Sequence, residues 1–405
     1  MSPDTEQFHS RLRMRMRARA TDEPHRASSQ LELLFDLTFV VAIASITAQL
    51  AHGITDGHGF QTVIPFLQVF FAIWWAWMNF TWFASSFDTD DAPYRVLTMV
   101  QMGGVLVLAA GVPAAFNDGD FLLVTLGYLL MRLGLIVQWV RAAVEDPASR
   151  RTASRYAIGI AVVQLGWILR LLLDQAGLLP NLWQVPAFIA LAMAELLVPM
   201  WAERHHSTNW HPHHIAERYG LFVIILLGES VLATSTGVAA SLDAGGVSGA
   251  LVTISAAGLV ILFALWWIYF LEPTGNGLSS NRDKSYVWGY SHYAIFAVLA
   301  ALGAGLEVAV EQTGHHLDVS AATAAYGVSI PAGLFLLLFL AVHRPIVEHP
   351  VVRPSVILPA AVVVLALPLS VGLIGVVGVV ALIAVICALV VVVSVLRRTS
   401  VHFSN

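Results

Sequence analysis

Residues 355–396 read SVILPAAVVVLALPLSVGLIGVVGVVALIAVICALVVVVSVL and contain no Asp, Glu, Lys, Arg or His. A helix needs roughly 20 mostly apolar residues to cross the hydrocarbon core of a bilayer. This stretch is long enough for two such helices, 355–373 and 374–396, with a turn marked by Gly372, Gly375 and Gly378. One long re-entrant element is the alternative. Because backbone amides inside lipid must pair within their own segment, the run predicts helices.

Apolar runs of this kind occur along the whole chain. The others are 34–52, 62–83, 96–116, 121–141, 155–173, 183–201, 218–238, 248–271, 287–310 and 321–342. The sequence therefore predicts an all-α polytopic transmembrane bundle of about twelve helices.

The composition supports the same class. Of the 405 residues, 58% are hydrophobic and 12% charged, whereas a soluble domain carries about 25% charged residues. Too little polar surface remains to coat a soluble globule. The net charge of −5 gives no sign of a nucleic-acid partner, and the single cysteine, Cys387, excludes a disulfide framework.

The distribution of Lys and Arg predicts the orientation. Every second connection is basic, whereas those near residues 53–61, 117–120, 174–182, 239–247, 311–320 and 374 contain no Lys or Arg. The positive-inside rule then places both termini in the cytoplasm of a bacterial plasma membrane. The arm 1–30, which includes Arg11, Arg13, Arg15 and Arg17, is interpreted as an orientation signal in a mobile terminus. Contact with anionic lipid head groups is the alternative.

Two segments recur in the same order. Glu32 and Glu217 each open an apolar run, at an offset of 217 − 32 = 185. The Trp74-Trp75 pair recurs as Trp266-Trp267, at an offset of 266 − 74 = 192. We therefore expect two parallel six-helix repeats, 31–204 and 205–396, followed by a cytoplasmic tail, 397–405. Transporters commonly use repeats, with the substrate site at the interface between them.

Several motifs resemble the bacterial low temperature requirement protein A (LtrA) family. They are Glu32-Leu33-Leu34-Phe35-Asp36-Leu37-Thr38-Phe39-Val40, Trp74-Trp75-Ala76-Trp77, Phe87-Asp88-Thr89-Asp90-Asp91 with Arg95, His214-Ile215-Ala216-Glu217-Arg218-Tyr219-Gly220-Leu221-Phe222 and Leu227-Gly228-Glu229-Ser230. The resemblance covers roughly residues 30–345. It implies a multi-helix membrane protein, and the family's name refers to growth in the cold rather than to a biochemical activity.

Charged residues inside predicted membrane helices are the candidate functional residues, because a charge at the bilayer centre costs about 2.5 kcal/mol or more. They are Asp36, Arg132, Glu195 and Glu229. Glu32, Glu217 and Arg218 mark the predicted cytoplasmic entrance. One reading is an ion or proton relay, with Asp36 and Glu229 as carriers and Arg132 as countercharge. The other reading is a network that only holds the bundle together.

Three further clusters carry weaker signals. Asp88, Asp90 and Asp91 could bind a divalent cation, although Asp91 before Pro93 is better read as a helix cap that pairs with Arg95. The cluster of His205, His206, His211, His213 and His214, with Glu203 and Glu217, matches no closed zinc motif and is read as a solvated loop. The group of Trp74, Trp75, Trp77 and Trp82 is read as an interfacial aromatic belt.

The predicted function is transport of a small solute or ion across the bilayer, with proton coupling through Glu229 and Asp36. No phosphate-binding loop, nucleophile elbow or HExxH motif occurs, so no cofactor is predicted and an enzymatic role is disfavoured. Two alternatives stay open. One is a membrane-embedded, metal-dependent lipid or isoprenoid enzyme that uses Asp88, Asp90 and Asp91. The other is a non-catalytic membrane factor for adaptation to low temperature.

Overall fold

A computed structural model of the chain describes residues 12–21, 23, 26–245, 248–313, 319–347 and 350–402. Arg11 and the rest of the predicted arm before it, and residues 403–405 of the predicted tail, lie outside the described residues. The described chain is all-α, with eleven long helices and two short ones. They are α1 (Gln30–Thr55), α2 (Gly59–Phe87), α3 (Ala92–Asn117), α4 (Leu122–Glu145), α5 (Arg150–Gln175), α6 (Asn181–Glu203), α7 (Pro212–Gly245), α8 (Gly249–Phe270), α9 (Thr274–Ser280), α10 (Ser285–Glu311), α11 (Ala321–His343), α12 (Pro354–Ala366) and α13 (Val371–His402).

Ten stretches of the described chain are long and apolar enough to cross a membrane. Predicted span 218–238 lies in α7, which is not among these ten. The two spans predicted over 355–396 fall in one continuous candidate stretch, Pro354–Arg397. Within it the backbone leaves helical geometry at Gly375, with φ 69° and ψ 173°. Only glycine adopts that conformation readily, so the predicted break is confirmed at this residue.

Local sequence explains where several helices begin. At α1, the backbone N–H of Ser29 donates to the Glu32 carboxylate at 2.7 Å, and the backbone N–H of Glu32 donates to the Ser29 hydroxyl at 3.3 Å. This reciprocal pair is a capping box. The Asp91 carboxylate caps α3 by accepting from the Tyr94 N–H at 3.1 Å, and Pro93 stands in the first turn of the helix.

The contacts divide the chain into two compact units. The first unit comprises the described residues up to Ser45 together with Gln68–Ile215. In it α3 packs on α4, α4 on α5, and α5 on α6. The second unit comprises Ile46–Leu67 and the described residues from Ala216 onward. In it α10 packs on α11, and α13 packs on α8 and α11. Cys387, in α13, is fully buried.

Each unit contains a helix pair whose backbones touch through glycines. A Cβ atom added to Gly104 of α3 would lie 2.7 Å from the carbonyl oxygen of Gly127 in α4. A Cβ atom added to Gly305 of α10 would lie 2.0 Å from the carbonyl oxygen of Gly327 in α11. Small residues of this kind let membrane helices approach closely, since lipid supplies no hydrophobic force between them.

The outward faces of the helices are apolar. On α5 an exposed stripe recurs every three or four residues and consists of Ile158, Val162, Leu165, Leu169 and Leu172. A soluble helix would carry polar residues on its exposed face. This stripe therefore indicates contact with lipid.

Candidate functional site

Glu195 in α6 is a buried acid of the first unit whose two carboxylate oxygens are both hydrogen-bonded. Its side chain is fully buried, and each carboxylate oxygen accepts two hydrogen bonds. Oε1 accepts from the Tyr128 hydroxyl and the Gln164 amide, both at 2.7 Å. Oε2 accepts from the Trp75 indole N–H at 3.0 Å and from the Arg132 guanidinium at 2.6 Å. Four donors from α2, α4 and α5 therefore converge on one carboxylate.

Arg132 supplies the positive charge for Glu195 and is itself 1% exposed. Its guanidinium also lies 5.5 Å from the centre of the Tyr128 ring. A buried ion pair with further hydrogen bonds to the carboxylate fixes the positions of the helices that carry it. The structure therefore brings together two of the four predicted relay residues, in an arrangement typical of a structural pair.

Asp36 in α1 also belongs to the first unit and is buried. Its carboxylate accepts from the Trp77 indole N–H at 2.7 Å. Trp75 and Trp77, two residues apart on α2, thus serve two different acids. The reading of the tryptophan group as an interfacial belt is wrong for Trp74, Trp75 and Trp77, which are at most 1% exposed. An indole in a belt would have to face head groups.

Glu32, predicted to mark the entrance, is also buried. One carboxylate oxygen completes the capping box of α1, and the other lies 3.1 Å from Nε2 of His214. Both side chains are fully buried. The interpretation of the histidine cluster as a solvated loop is therefore wrong for His214, and also for His211, whose Nδ1 accepts from the His214 backbone N–H at 3.3 Å.

The other members of these groups are placed differently. Arg218 is fully buried in α7, whereas Glu217 beside it is exposed. His205, His206 and His213 are exposed as predicted. Glu32 and Glu217, which occupy matching places in the predicted duplication, thus differ in burial.

The acids of the loop after α2 all contact arginines. Asp90 binds Arg95 through two hydrogen bonds of 2.8 Å. Asp91 binds Arg141 at 2.6 and 2.8 Å, so the predicted pairing of Asp91 with Arg95 is wrong although its capping role is confirmed. The described residues include no group of three or more His, Cys, Asp or Glu placed to hold a metal ion. This arrangement gives no support to the alternative prediction of a metal-dependent enzyme.

Asp88 is the third acid of that loop. Arg19 and Arg26 each approach its carboxylate to 3.8 Å, and its side chain is 4% exposed. Burial raises the pKa of Asp88 to about 6, and repulsion from Glu32 adds to this rise, while the two arginines oppose it. Its charge is therefore only partly compensated, and it titrates close to physiological pH.

Glu229 in α7 belongs to the second unit and contrasts with Glu195. It is 6% exposed, and its Oε2 has no hydrogen-bond partner among the described residues. Another buried acid of the same unit is Glu307 of α10, whose carboxyl group is repelled by Glu311 and, more weakly, by Glu229. Within the described chain neither acid lies in an ion pair. Glu307 is not among the four relay residues that the sequence predicted.

Small polar side chains lie beside this pair of acids. A Cβ atom added to Gly303, one turn before Glu307, would lie 3.0 Å from the Ser230 hydroxyl and 3.2 Å from the Thr47 methyl group. Thr47 is 1% exposed, and its hydroxyl has no hydrogen-bond partner in the described chain. Ser230, which follows Glu229 in the chain, and Thr47 thus both lie against α10 one turn before Glu307.

A cavity of about 400 Å³ lies in the same unit. Its lining includes Leu50 and Ile54 of α1, Ala301 of α10, and Tyr326 and Pro331 of α11. The helix that carries Thr47 and the helix that carries Gly303 and Glu307 both line it. The cavity could accommodate a small molecule, since ligand pockets start at about 300 Å³.

A bundle of apolar-faced helices with charges buried between them defines a multi-pass membrane protein. The chain matches the family model described as Bacterial low temperature requirement A protein (LtrA) over residues 27–395, and it belongs to that family. The match extends through the last apolar helices, beyond the 30–345 expected from the motifs. An uncharacterized protein of Rhizobium meliloti (strain 1021) is 27% identical over 296 residues, which cover 69% of each chain. No solved structure matches the chain.

Proposed function

We propose that this LtrA-family protein moves a small solute or ion across the bilayer and couples the movement to protons at Glu229. The observation that carries the proposal is the state of the Glu229 carboxyl group, which is buried without an ion pair or a partner for Oε2 within the described chain. A carboxylate in such surroundings holds a proton far more readily than one in water. Ionisable residues inside membrane helices commonly mark proton relays and ion pathways.

Glu307 supports the same role. It is a second buried acid of the same unit that lies in no ion pair of the described chain, so it can accept a cation or a donor group of the solute. The hydroxyl of Thr47 supplies an oxygen beside α10, and the cavity lined by α1, α10 and α11 supplies room for the solute. Asp36, predicted as a second carrier, retains its indole partner and is assigned a lesser part.

The glycine contacts support the proposal of a duplicated architecture. Gly104 and Gly305 are separated by 305 − 104 = 201 residues, and Gly127 and Gly327 by 327 − 127 = 200 residues. The close approach of α3 to α4 therefore recurs, at nearly constant offset, between α10 and α11. Together with the motif offsets of 185 and 192, this favours two parallel repeats in the chain.

Purified protein in liposomes loaded with a pH-sensitive dye tests the transport proposal. Amino acids, sugars and inorganic cations are added in turn, and proton entry is recorded. We expect one class to drive proton flux in the wild type, and Glu229→Gln to abolish it. Glu272→Gln is the matched control, because Glu272 is a buried acid of the same unit that accepts from the Val352 N–H at 2.9 Å.

Two results would overturn the proposal. One is the lack of any solute-dependent proton flux in the wild type. The other is a Glu229→Gln protein that supports growth in the cold as well as the wild type does. The second result would favour the non-catalytic membrane factor.

The orientation is part of the proposal, with both termini in the cytoplasm. Reporter tags placed in the connections free of Lys and Arg, such as residues 56–58, should be accessible from outside the cell. Tags accessible only from the cytosol would contradict it.

A further inference from the structure

The N-terminal arm is docked on the first unit in a regular way. Its sequence from residue 12 to residue 19 alternates Leu12-Arg13-Met14-Arg15-Met16-Arg17-Ala18-Arg19. The backbone N–H groups of Met14, Met16 and Ala18 donate to the carboxylates of Asp91, Glu145 and Asp146, at 2.8, 2.6 and 3.2 Å. Every second backbone amide of this stretch thus donates to a carboxylate at the start of α3 or at the end of α4. The described part of the arm is therefore held in a fixed register, unlike the mobile terminus that the sequence suggested.

The side chains of the arm differ in burial. Met16 is fully buried and anchors the arm. Arg19 is held by Asp88 and by Glu23, and its backbone N–H donates to the Ser86 carbonyl at 2.9 Å. Arg13, Arg15 and Arg17 are exposed, although the Nε–H of Arg15 donates to the Glu145 carbonyl at 2.6 Å.

The exposed arginines lie beside exposed apolar groups at the boundary of the membrane helices. The acids that hold the arm stand where α3 begins and where α4 ends. Leu12 and Met14 in the arm, and Val144 in the last turn of α4, are each about half exposed or more. Arginine beside exposed apolar side chains, at the end of a membrane helix, suits the head-group layer.

We propose that Arg13, Arg15 and Arg17 bind the phosphate groups of anionic phospholipids. Planar guanidinium groups match phosphate oxygens through paired hydrogen bonds. The bond of Arg13 to Glu145, at 3.0 Å, does not prevent this, since the Arg13 side chain is 74% exposed and exposed ion pairs contribute little. A soluble polyanion is a poorer partner because it would leave Leu12 and Met14 facing water.

Purified protein in neutral detergent, titrated with phosphatidylglycerol or phosphatidylcholine and followed by native mass spectrometry, tests the proposal. We expect the wild type to prefer phosphatidylglycerol. The triple variant Arg13→Gln/Arg15→Gln/Arg17→Gln should lose about tenfold or more in affinity for it, since each arginine near an anionic surface contributes measurably. The triple variant with Lys at the same positions should keep most of the preference.

The matched control removes three exposed arginines from α3 and α5, as Arg95→Gln/Arg150→Gln/Arg151→Gln. It should keep the preference to within about threefold, since these arginines lie outside the arm. Equal loss in both Gln variants, an unchanged Gln variant of the arm, or heparin binding as tight as phosphatidylglycerol binding would each overturn the proposal. If the Gln variant of the arm does not fold, the Lys variant is measured instead. Loss of its preference for phosphatidylglycerol would then overturn the proposal.

Discussion

Glu195 and Glu229 are both acids buried in the middle of apolar helices, yet their surroundings are opposite. Glu195 accepts hydrogen bonds from four side chains, including a charged arginine. Glu229 has an oxygen without a partner in the described chain and lies in no ion pair there. Identical side chains thus have different surroundings, and we propose a structural role for the first and proton coupling for the second. Burial alone does not identify a functional acid in a membrane protein.

The largest effect should come from breaking the buried ion pair of Glu195 with Arg132. Glu195→Gln leaves Arg132 buried without its counter-ion, which costs about 3–5 kcal/mol. We expect a large fall in the thermal unfolding midpoint in detergent. Adding Arg132→Gln should recover part of the loss, because the double variant has no uncompensated charge. A Glu195→Gln protein as stable as the wild type would show that the pair contributes little.

Asp88 tests an intermediate case, an acid whose charge is only partly compensated. Its pKa in the folded protein is about 6 and its ordinary value is 3.8, so the folded state takes up the proton first as pH falls. The stability that this group confers is therefore present at low pH and is lost as pH rises through 6. Asp88→Asn should remove this dependence and raise stability at pH 7.5 by on the order of 1–3 kcal/mol.

The measurement for Asp88 is the thermal midpoint between pH 5 and pH 8. Asp56→Asn, at an exposed acid, is the control and should leave the profile as in the wild type. A profile that Asp88→Asn does not change would show that Arg19 and Arg26 already compensate the charge.

The helix packing of the two units can also be compared, through the close glycine contacts in each. Gly305→Ala places a methyl group 2.0 Å from the Gly327 carbonyl oxygen, so α10 and α11 must separate. We expect a loss of about 1–3 kcal/mol. Gly104→Ala should act in the same direction in the first unit. Gly103→Ala is the control, since no atom lies within 4 Å of the added carbon, and a helical Gly→Ala change gains up to about 1 kcal/mol. Equal stability of the Gly103 and Gly104 variants would contradict this account.

The smallest effect on stability should come from Glu229. Replacing it with Gln removes a charge that the described surroundings do not compensate, so the thermal midpoint should stay equal or rise slightly. Glu195→Gln should lower the thermal midpoint strongly whereas Glu229→Gln should not, so these two variants test the comparison most directly. A fall as large as that of Glu195→Gln would assign Glu229 a structural role.

The helices were predictable because long apolar runs are stable in lipid, and a segment in lipid must form a helix to pair its own backbone groups. The sequence also pointed to the buried charges, since each interrupts such a run. Their partners were not predictable. Glu195 lies 63 residues from Arg132, and His214 lies far along the chain from Glu32, so no local pattern links them. The burial of Trp75 and Trp77 escaped prediction for the same reason, because their acceptors lie on other helices.

The complete burial of Cys387 has a practical consequence. The native thiol sits inside the fold, out of reach of water-soluble maleimides, and the chain has no second one. A cysteine introduced at Phe60, Asp56 or Arg17 would then be the only thiol of this protein that such a reagent can modify. Single cysteines can therefore be introduced into the wild-type sequence directly, without removing the native one, to map which residues face each side of the membrane.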